Sequence, residues 1–314
     1  MNVCVVGGAG FLGSHAVDSL LDAGHEVVVI DNFLLGKMSN LKDAVEKSKI
    51  NIYNEDARQL MPLQEIILKE KIDVVVNLAM KCLPTSFDDP EGSYMVGVQI
   101  AHNLVYMLRK KQYNHLIHLS SSEVYGTATE CLMSETHPTV PTTPYGAGKL
   151  AADHLLLSYH NMFNCKVSVI RPFNLVGPRQ NWNAYAAVVP LTIKRIMSGE
   201  SPIINGDGQQ SRDFNYVKDV ANLIPELLET GAFVGKAVNV GRGKETTIKQ
   251  LIELICKEMG YPISKIKYAP ERLADVRRHC ADISLAQKLI DYEPKTSLEE
   301  AIKSTVTWYR SELK

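Results

Sequence analysis

Residues 2–13 read NVCVVGGAGFLG, and this stretch decides the fold. A short apolar run leads into Gly7, Gly10 and Gly13, and a helix-length amphipathic stretch then separates it from a second apolar run, VVVID at residues 27–31. Strand, glycine-rich turn, helix and strand together form one βαβ unit. Because the glycines lack side chains, the backbone can approach a pyrophosphate at the positive end of the helix. The chain therefore begins with a predicted dinucleotide-binding turn.

The alternation of apolar strands and helices continues through the first half of the chain. Apolar runs occur at residues 73–78, 115–120 and 166–171, with helical segments between them. Strands that are apolar throughout and alternate with helices are typical of a parallel sheet covered on both faces. We therefore predict a Rossmann-type, doubly wound α/β domain.

The regular alternation of strands and helices ends after Pro172. Turn-rich segments at residues 177–179 and 205–208 punctuate shorter elements, which predicts a second, smaller lobe. The predicted division is a Rossmann domain over residues 1–173, joined by residues 213–240, and a partly discontinuous α/β substrate-binding lobe over residues 174–212 and 241–314.

Composition excludes several classes of function. Lys plus Arg number 34 against 35 for Asp plus Glu, so the net charge of -1 gives no broad positive field for a phosphate backbone, and we expect no nucleic-acid partner. The six cysteines are scattered without a C-x-x-C pair, which predicts free thiols and no metal site. No apolar run is long enough to span a bilayer, and no signal peptide is recognisable. We expect a cytoplasmic protein without a membrane partner.

Two carboxylates mark the predicted ends of the second and third strands. Asp31 ends the run VVVID, where it can accept hydrogen bonds from the ribose hydroxyls of adenosine and would repel a 2′-phosphate. Asp31 therefore favours NAD over NADP as the cofactor. Asp56 follows the predicted third strand, where it either meets the adenine or is a solvated turn aspartate.

Tyr145 and Lys149 are four positions apart in PYGAGK, and on a helix this spacing places both side chains on one face. An unperturbed phenol has a pKa of about 10, and a neighbouring ammonium favours the phenolate, so the pair predicts a tyrosine base. The same spacing also occurs in simple surface pairs. Here it follows SSSEVYG at residues 120–126, a strand end rich in hydroxyls. Ligands of doubly wound sheets bind outside the carboxyl ends of strands, so this segment should face the cofactor.

These features, with several further motifs, make the chain resemble an extended short-chain dehydrogenase/reductase of the NAD-dependent nucleotide-sugar epimerase/dehydratase family. The resemblance covers essentially the whole length. Besides the glycine motif, it rests on Asn77-Leu78-Ala79, Ser121 with Tyr145 and Lys149, Arg171-Pro172-Phe173-Asn174, Gly177-Pro178-Arg179-Gln180, Arg212-Asp213-Phe214 and Ala281-Asp282-Ile283-Ser284.

The resemblance implies a reaction. Tyr145 would take the proton of the sugar C4 hydroxyl while hydride passes to NAD, Lys149 would bind the nicotinamide ribose and lower the pKa of the tyrosine, and Ser121 would share the substrate hydrogen bond. The 4-keto sugar acidifies its C5 proton, which is why one scaffold supports epimerisation, dehydration and decarboxylation. The remaining cofactor contacts that the resemblance implies are Phe11, Leu12, Asn32, Ala57, Leu78, Ala79, Lys81 and Pro172.

Glu123 is the residue that best separates the branches of this family. At its position 4-epimerases usually carry a small or hydroxyl residue, whereas 4,6-dehydratases show DEVYG and uronate decarboxylases show SEVYG. A carboxylate near C5 can remove that proton once the ketone has formed. In the alternative interpretation Glu123 has a purely structural role, in which it caps a backbone group or pairs with a lysine.

Other residues point to different branches. Ser122, a further predicted catalytic residue, replaces the aspartic acid with which dehydratases protonate the departing C6 hydroxyl, and decarboxylases match Ser122-Glu123 directly. Residues 275–282, however, are closer to 4-epimerases. We predict Glu123-assisted chemistry at C5, by dehydration or decarboxylation, with a UDP-sugar 4-epimerase of the UDP-glucose or UDP-glucuronate type as the alternative.

The substrate is expected to be a nucleotide sugar, with uracil the commonest base in the family and no residue excluding another. By the same resemblance Asn174, Arg212 and Arg272 would contact the diphosphate or nucleotide, and arginines suit this role because guanidinium groups bind phosphate oxygens through paired donors. Lys81 would reach a phosphate or sugar oxygen from the rim. The full set of predicted substrate contacts is Lys81, Glu123, Asn174, Val189, Arg212, Arg272 and Asp275.

Three other functions compete with this interpretation. A non-catalytic dinucleotide sensor typically loses the Tyr-Lys pair, which is retained here. A plain reductase would release reduced cofactor at every turnover. A purely structural protein is supported only by the homodimer usual in the family, which would form through helices at residues 90–109 and 145–163.

Overall fold

A computed structural model describes residues 1–183, 185–271 and 276–312. Its largest sheet contains β1 (Asn2–Val6), β2 (Glu26–Asp31), β3 (Asn51–Asn54), β4 (Val74–Asn77), β5 (His115–Leu119), β6 (Val167–Pro172) and β10 (Ala237–Val240). These seven strands lie in the order β10-β6-β5-β4-β1-β2-β3, and all neighbours are parallel. The predicted doubly wound, parallel α/β sheet is therefore confirmed.

Helices cover both faces of this sheet because its central strands are apolar on both sides. One face packs against α1 (Phe11–Asp22) and α8 (Leu223–Thr230). The other face packs against α3 (Leu60–Lys69), α4 (Pro90–Arg109) and α5 (Pro144–Phe163). Two short helices complete this half of the molecule, α2 (Lys42–Lys47) and α7 (Val217–Ala221).

The two long helices begin at clear sequence signals. Asp89 accepts a hydrogen bond from the Gly92 amide at the start of α4, and Thr143 accepts one from the Gly146 amide at the start of α5. In each helix a proline occupies the first position, where its missing N–H leaves no bond unmade. This start fixes which face of α5 presents Tyr145.

The chain reverses direction across the sheet at β1. From β1 it continues to β2 and β3 on one side, and then crosses to β4 on the other side before continuing to β5 and β6. A crevice opens where the chain leaves neighbouring strands in opposite directions, outside their carboxyl ends. The glycine turn after β1 and the residues after β4 border this crevice.

A second lobe is built on two small sheets. One contains β7 (Asn174–Val176), β9 (Ser211–Tyr216) and β11 (Glu245–Thr247), and the other pairs β8 (Ile203–Asn205) with β12 (Lys267–Ala269). The lobe has its own apolar core, to which α6 (Val188–Met197), α9 (Ile248–Met259) and α11 (Leu298–Glu312) contribute.

Segments of the large domain and segments of the second lobe alternate along the chain more often than the predicted boundaries allow. Strand β10 pairs with β6 in the large sheet, whereas residue 213, a predicted boundary, lies inside β9, which pairs with β7 and β11. Helix α10 (Ser284–Ile290), expected in the lobe, instead places Ala286 in the core of the large sheet. Strand pairing and apolar packing, which sequence texture does not reveal, set these boundaries.

Helices α4 and α5 lie side by side on the same face of the large sheet. Their ranges agree with the two helices predicted to form a dimer, and their outer surfaces expose Met95 and Met162. Within the described ranges, no helix has the length and apolarity needed to cross a membrane, and no cluster of side chains is suited to a metal ion.

Candidate active site

The glycine turn closes tightly onto its surroundings. A Cβ on Gly13 would lie 2.0 Å from the Gly7 carbonyl oxygen, and Gly7, with φ of +82°, would place a Cβ 2.7 Å from the Ala79 backbone nitrogen. Neither position tolerates a side chain. Gly10 begins helix α1 without a side-chain cap, so the first-turn amides, which include those of Phe11 and Leu12, are available to an anion.

A small cavity of about 110 Å³ lies beside this turn. Most of the residues predicted to bind the cofactor line it, although they come from four separate strand ends. They are Gly7, Gly10, Asp31, Asn32, Asp56, Ala57, Leu78, Ala79 and Lys81. We call this the smaller cavity. Phe11, Leu12, Gly13 and Pro172 are not among the residues found to line it.

Asp31 is held by the backbone on both carboxylate oxygens. Oδ2 accepts a hydrogen bond from the Ala9 amide at 2.9 Å, and Oδ1 accepts one from the Phe33 amide at 2.8 Å. Burial raises the pKa of Asp31, and these two amides oppose the shift. Because a carboxylate has about four acceptor positions, the oriented group can still accept hydrogen bonds from a pair of hydroxyls.

Two charged side chains at the rim of the smaller cavity are paired within the protein. Arg58 Nε donates to Asp56 Oδ1 and Oδ2 at 3.0 and 2.9 Å, which lowers the pKa of Asp56. Lys81 forms a close ion pair with Asp89, at the start of α4. Neither alternative that the sequence left open for Asp56 included this ion pair, and an adenine contact remains a prediction.

Tyr145 and Lys149 share one face of α5, as their spacing predicted. Lys149 is buried, and its ammonium donates to the Leu119 carbonyl oxygen at 2.6 Å, which ties the helix to the end of β5. The Lys149 Nζ lies 6.0 Å from the centre of the Tyr145 ring. Burial lowers the pKa of Lys149 to about 8, and Asp153, one turn further along α5, opposes this shift.

The pKa of Tyr145 moves against the sequence-based expectation. Burial raises the pKa of the phenol, the Ser121 hydroxyl lowers it through a hydrogen bond, and the negative charge of Glu123 raises it again. In the protein alone burial therefore favours the protonated phenol, and a lowering of the Tyr145 pKa by Lys149 stays a prediction for the site with its cofactor bound. Desolvation outweighs the effect of an ammonium at this distance.

Residues 121–124 form a tight turn at the end of β5, which we call the serine turn. Its first residue, Ser121, accepts a hydrogen bond from the Glu123 amide at 3.2 Å and also bonds the Tyr145 phenol. Glu123 lines a second, larger cavity. Ser122 is buried, and its hydroxyl lies 3.4 Å from Nδ1 of His279, a residue that sequence reasoning did not select.

The larger cavity has a volume of about 850 Å³ and lies between the two lobes. Glu123, Asn174 and Arg212 line it as predicted, whereas Val189 is buried in α6 and its neighbour Val188 lines the cavity instead. The predicted contacts Arg272 and Asp275 lie outside the described residues. Lining residues that the sequence analysis missed include Asp88, Thr143, Tyr185, Arg195, Asn205 and Gln210.

One short segment joins the two cavities. Met80 and Lys81 line the smaller cavity, Leu83 and Pro84 line the larger one, and the Tyr145 phenol interacts with Cys82 between them. The acid/base candidate therefore lies at the junction of the two cavities.

A buried network of charged and polar side chains lies next to this junction. Asp153 Oδ2 accepts hydrogen bonds from the Ser120 hydroxyl at 2.8 Å and from Arg171 Nε at 2.9 Å, and Arg171 also donates to the Tyr125 hydroxyl at 3.0 Å. Sequence reasoning missed Asp153, although it lies four positions after Lys149 on the same helix face. That spacing was the available signal.

Comparison with known proteins now identifies the class. Residues 4–305 match the family described as GDP-mannose 4,6 dehydratase. The UDP-glucose 4-epimerase of Mycolicibacterium smegmatis is 33% identical over 99% of both chains. The UDP-glucuronic acid decarboxylase 1 of Xenopus tropicalis is 30% identical over 99% of this chain and 72% of its own.

Solved structures agree with this class. The UDP-glucose 4-epimerase of Thermotoga maritima, solved with UDP-glucose, superposes with a TM-score of 0.94 at 32% identity and full coverage of both chains. The dTDP-glucose 4,6-dehydratase of Bacillus anthracis, in complex with NAD, gives a TM-score of 0.89 at 27% identity over 99% and 97% of the two chains. The chain belongs to the extended short-chain dehydrogenase/reductase family of NAD-dependent nucleotide-sugar epimerases and dehydratases.

Proposed function

We propose that this protein is an NAD-dependent enzyme that oxidises C4 of a nucleotide sugar, in the first instance a UDP-sugar, and then acts on the resulting 4-keto sugar. This function is carried by one arrangement. Tyr145 hydrogen-bonds Ser121 and lies within reach of the charge of Glu123, between a cavity that contains a dinucleotide-type glycine turn and a larger cavity that contains Arg212.

The residues around the smaller cavity suit the adenosine ribose and pyrophosphate of NAD. The uncapped start of α1 suits a pyrophosphate, and the carboxylate of Asp31 suits the adenosine ribose hydroxyls while repelling a 2′-phosphate. When bound, NAD supplies the hydride acceptor and a positive charge that would favour ionisation of a nearby phenol. The nucleotide end of the substrate would lie in the larger cavity, where Asn174 and Arg212 would meet the diphosphate.

The chain's own residues then divide the work of oxidation. Ser121 orients the C4 hydroxyl and shares its proton with Tyr145, whose phenolate accepts that proton. Lys149, buried and fixed to the Leu119 carbonyl, holds the nicotinamide ribose and keeps a positive charge beneath the phenolate. The alcohol thereby loses one proton and one hydride and becomes a ketone, and both return to the sugar in a closed cycle.

Glu123 supports chemistry at C5. Its carboxylate lines the larger cavity and raises the pKa of Tyr145, so it lies close to the group that acts at C4. Once C4 is a ketone, a carboxylate beside Tyr145 can remove the acidified C5 proton, or, in its protonated form, donate a proton to C5 of the enolate that loss of carbon dioxide leaves. Dehydration and decarboxylation are the two reactions that use this group.

A UDP-sugar 4-epimerase is the second candidate function. It is supported by the 33% identity with the Mycolicibacterium enzyme over the whole chain and by Ser122, whose hydroxyl bonds His279 within the protein core. An epimerase returns hydride to the opposite face of C4 and needs no base at C5. In that case Glu123 would be a packing and electrostatic residue.

Product mass separates these reactions. Purified protein is incubated with UDP-glucose, UDP-glucuronate, UDP-N-acetylglucosamine and dTDP-glucose, and the products are analysed by mass spectrometry and chromatography. Loss of water indicates dehydration, loss of carbon dioxide indicates decarboxylation, and an unchanged mass with altered retention indicates epimerisation. Absence of any product, with NAD still bound, would favour the non-catalytic sensor, and a stoichiometric demand for NADH would favour the reductase.

We also propose that two copies associate through α4 and α5 in the cytoplasm. The outer surfaces of these helices expose Tyr94, Met95, Met162 and Phe163. All six cysteines are free, which suits a reducing compartment. Light scattering of the wild-type protein and of Met95→Glu tests the interface: a dimer that becomes a monomer is expected.

A further inference from the structure

His279 lies directly behind the serine turn. It is fully buried, and its Nε2 lies 3.1 Å from the Ser122 carbonyl oxygen while its Nδ1 lies 3.4 Å from the Ser122 hydroxyl. Its ring also packs against Phe173, with the ring centres 5.2 Å apart. His279 belongs to residues 276–282, which also contribute Val276 to the larger cavity. One side chain therefore touches both the backbone and the side chain of the same turn residue.

The direction of each hydrogen bond follows from these contacts. A carbonyl oxygen only accepts, so Nε2 of His279 carries the hydrogen and donates to Ser122. Burial lowers the pKa of His279 to about 3, with the nearby charge of Arg212 acting in the same direction, so the ring is neutral near pH 7. In a neutral ring Nδ1 is an acceptor, and the Ser122 hydroxyl must therefore donate its proton to His279.

Neighbouring side chains of the serine turn thus face different surroundings. The Ser122 hydroxyl is committed to a buried histidine, whereas Glu123 lines the larger cavity and the Ser121 hydroxyl bonds the Tyr145 phenol. We infer that His279 is a positioning residue: it holds Ser122 so that Ser121 and Glu123 point correctly, and the Ser122 hydroxyl serves this contact instead of protonating substrate.

This inference deepens the proposed function and rests on it. A departing C6 hydroxide must be protonated, and a serine hydroxyl that already donates to His279 is poorly placed to supply that proton. Release of carbon dioxide and epimerisation at C4 require no proton donor at C6. The Ser122–His279 contact therefore weighs against Ser122 as the acid of a 4,6-dehydratase.

Three variants test the assignment once a substrate has been found for the wild-type enzyme. His279→Phe keeps a ring against Phe173 but removes both hydrogen bonds, and we expect kcat to fall about 30-fold with KM within about twofold, because small misplacements of catalytic groups have large effects. His279→Gln retains a donor for the Ser122 carbonyl, so it should recover most of that loss. Ser122→Ala, which keeps the carbonyl bond, should lower kcat only about threefold.

His137→Phe is the matched control. His137 is a buried histidine of the same region that packs against Tyr125, with ring centres 5.6 Å apart, and hydrogen-bonds Thr129 and the Pro138 carbonyl. It should lower the melting temperature without a comparable fall in kcat. If His279→Phe does not fold, as judged by circular dichroism, His279→Gln and Ser122→Ala carry the test.

Two results would overturn the inference while leaving the proposed function intact. One is a His279→Phe enzyme with the wild-type kcat. The other is a Ser122→Ala enzyme that loses about 100-fold in kcat and accumulates reduced cofactor, since that would make Ser122 the acid. Failure of the wild-type protein to convert any nucleotide sugar would contradict the proposed function itself.

Discussion

The smaller and the larger cavity differ in how the chain builds them. The smaller cavity is lined by residues that directly follow strands of one parallel sheet, such as Gly7 after β1, Asp31 at the end of β2 and Leu78 after β4. The larger cavity is lined by loops and short elements from both lobes. These residues are scattered along the chain between Leu83 and Val276. Sheet geometry alone places the first set, whereas packing between lobes places the second.

This difference suggests a division of labour that experiments can break or sharpen. Changes at the sheet end and on α5 should affect the chemistry of every substrate. Changes in the larger cavity, apart from Glu123 at the end of β5, should affect which substrate is bound, and therefore KM more than kcat.

Tyr145→Phe should have the largest effect. It removes the acid/base oxygen but keeps the ring, so we expect kcat to fall about 1000-fold with every nucleotide sugar, while the amount of NAD bound stays near that of the wild type. Steady-state rates and the cofactor released on denaturation provide the measurement. A variant that kept most of the wild-type rate would contradict the mechanism.

Glu123→Gln should have a large effect only if the reaction occurs at C5. The amide preserves size but removes the base, so we expect about a 100-fold loss in kcat and accumulation of absorbance from reduced cofactor. A fall in kcat of only a few fold, together with a product of unchanged mass, would favour the 4-epimerase. Glu123 would then belong with the residues of the larger cavity that affect which substrate is bound.

Deprotonation of Lys149 should have an effect of intermediate size on kcat/KM. Burial lowers its pKa to about 8, so the ammonium is lost as the pH rises through that value, and kcat/KM should fall about tenfold per unit above it. Other charged or titratable groups around Lys149 are Asp153, Arg171, His118 and Tyr145. Lys149→Arg, which stays protonated, should lower the maximum rate and remove this limb from a profile measured between pH 6 and 10.

The same shift also predicts an effect on stability. Between about pH 8 and the ordinary lysine pKa of 10.5, the unfolded chain binds more protons at Lys149 than the folded chain does. The free energy of unfolding should therefore rise with pH in this window, which urea titrations at several pH values can measure.

Arg212→Gln should act on binding. Removal of a guanidinium from the larger cavity should raise KM about fivefold, with kcat within about twofold, because the lost contact is made equally in the ground and transition states. Arg277→Gln is the control, since Arg277 forms an exposed ion pair with Asp207. A fall in kcat with unchanged KM for Arg212→Gln would break the proposed division between the cavities.

Asp31→Asn should have the smallest effect. The amide retains an oxygen for a backbone donor but removes the negative charge that repels a 2′-phosphate, so the preference for NAD over NADP should weaken about threefold. Binding of the two cofactors can be compared by calorimetry. Equal affinity of the wild-type protein for NADP would contradict the role given to Asp31.

The sequence was informative where chemistry follows local pattern. The strand runs follow from apolar stretches, and the face shared by Tyr145 and Lys149 follows from helix spacing, and the structure agrees. It was uninformative where distant segments meet. His279 reaches Ser122 across 157 positions, and no spacing rule connects the two.

The clearest difference between the pattern and the folded protein is electrostatic. The Tyr-Lys spacing suggests a lowered tyrosine pKa, but burial and the charge of Glu123 raise it in the folded protein. A sequence shows which ionisable groups are neighbours on a helix, but the depth at which they are buried depends on the whole fold.

The placement of β10 has a practical consequence for protein engineering. The chain leaves the large sheet after β6, builds part of the second lobe and then returns to lay β10 along β6. The residues of β6 are buried along its whole length. A fragment that ends at residue 173 would leave β6 as an exposed edge strand, which can pair with strands of other chains. Lobes can therefore be grafted between relatives only through several matched junctions, and a simple truncation should precipitate.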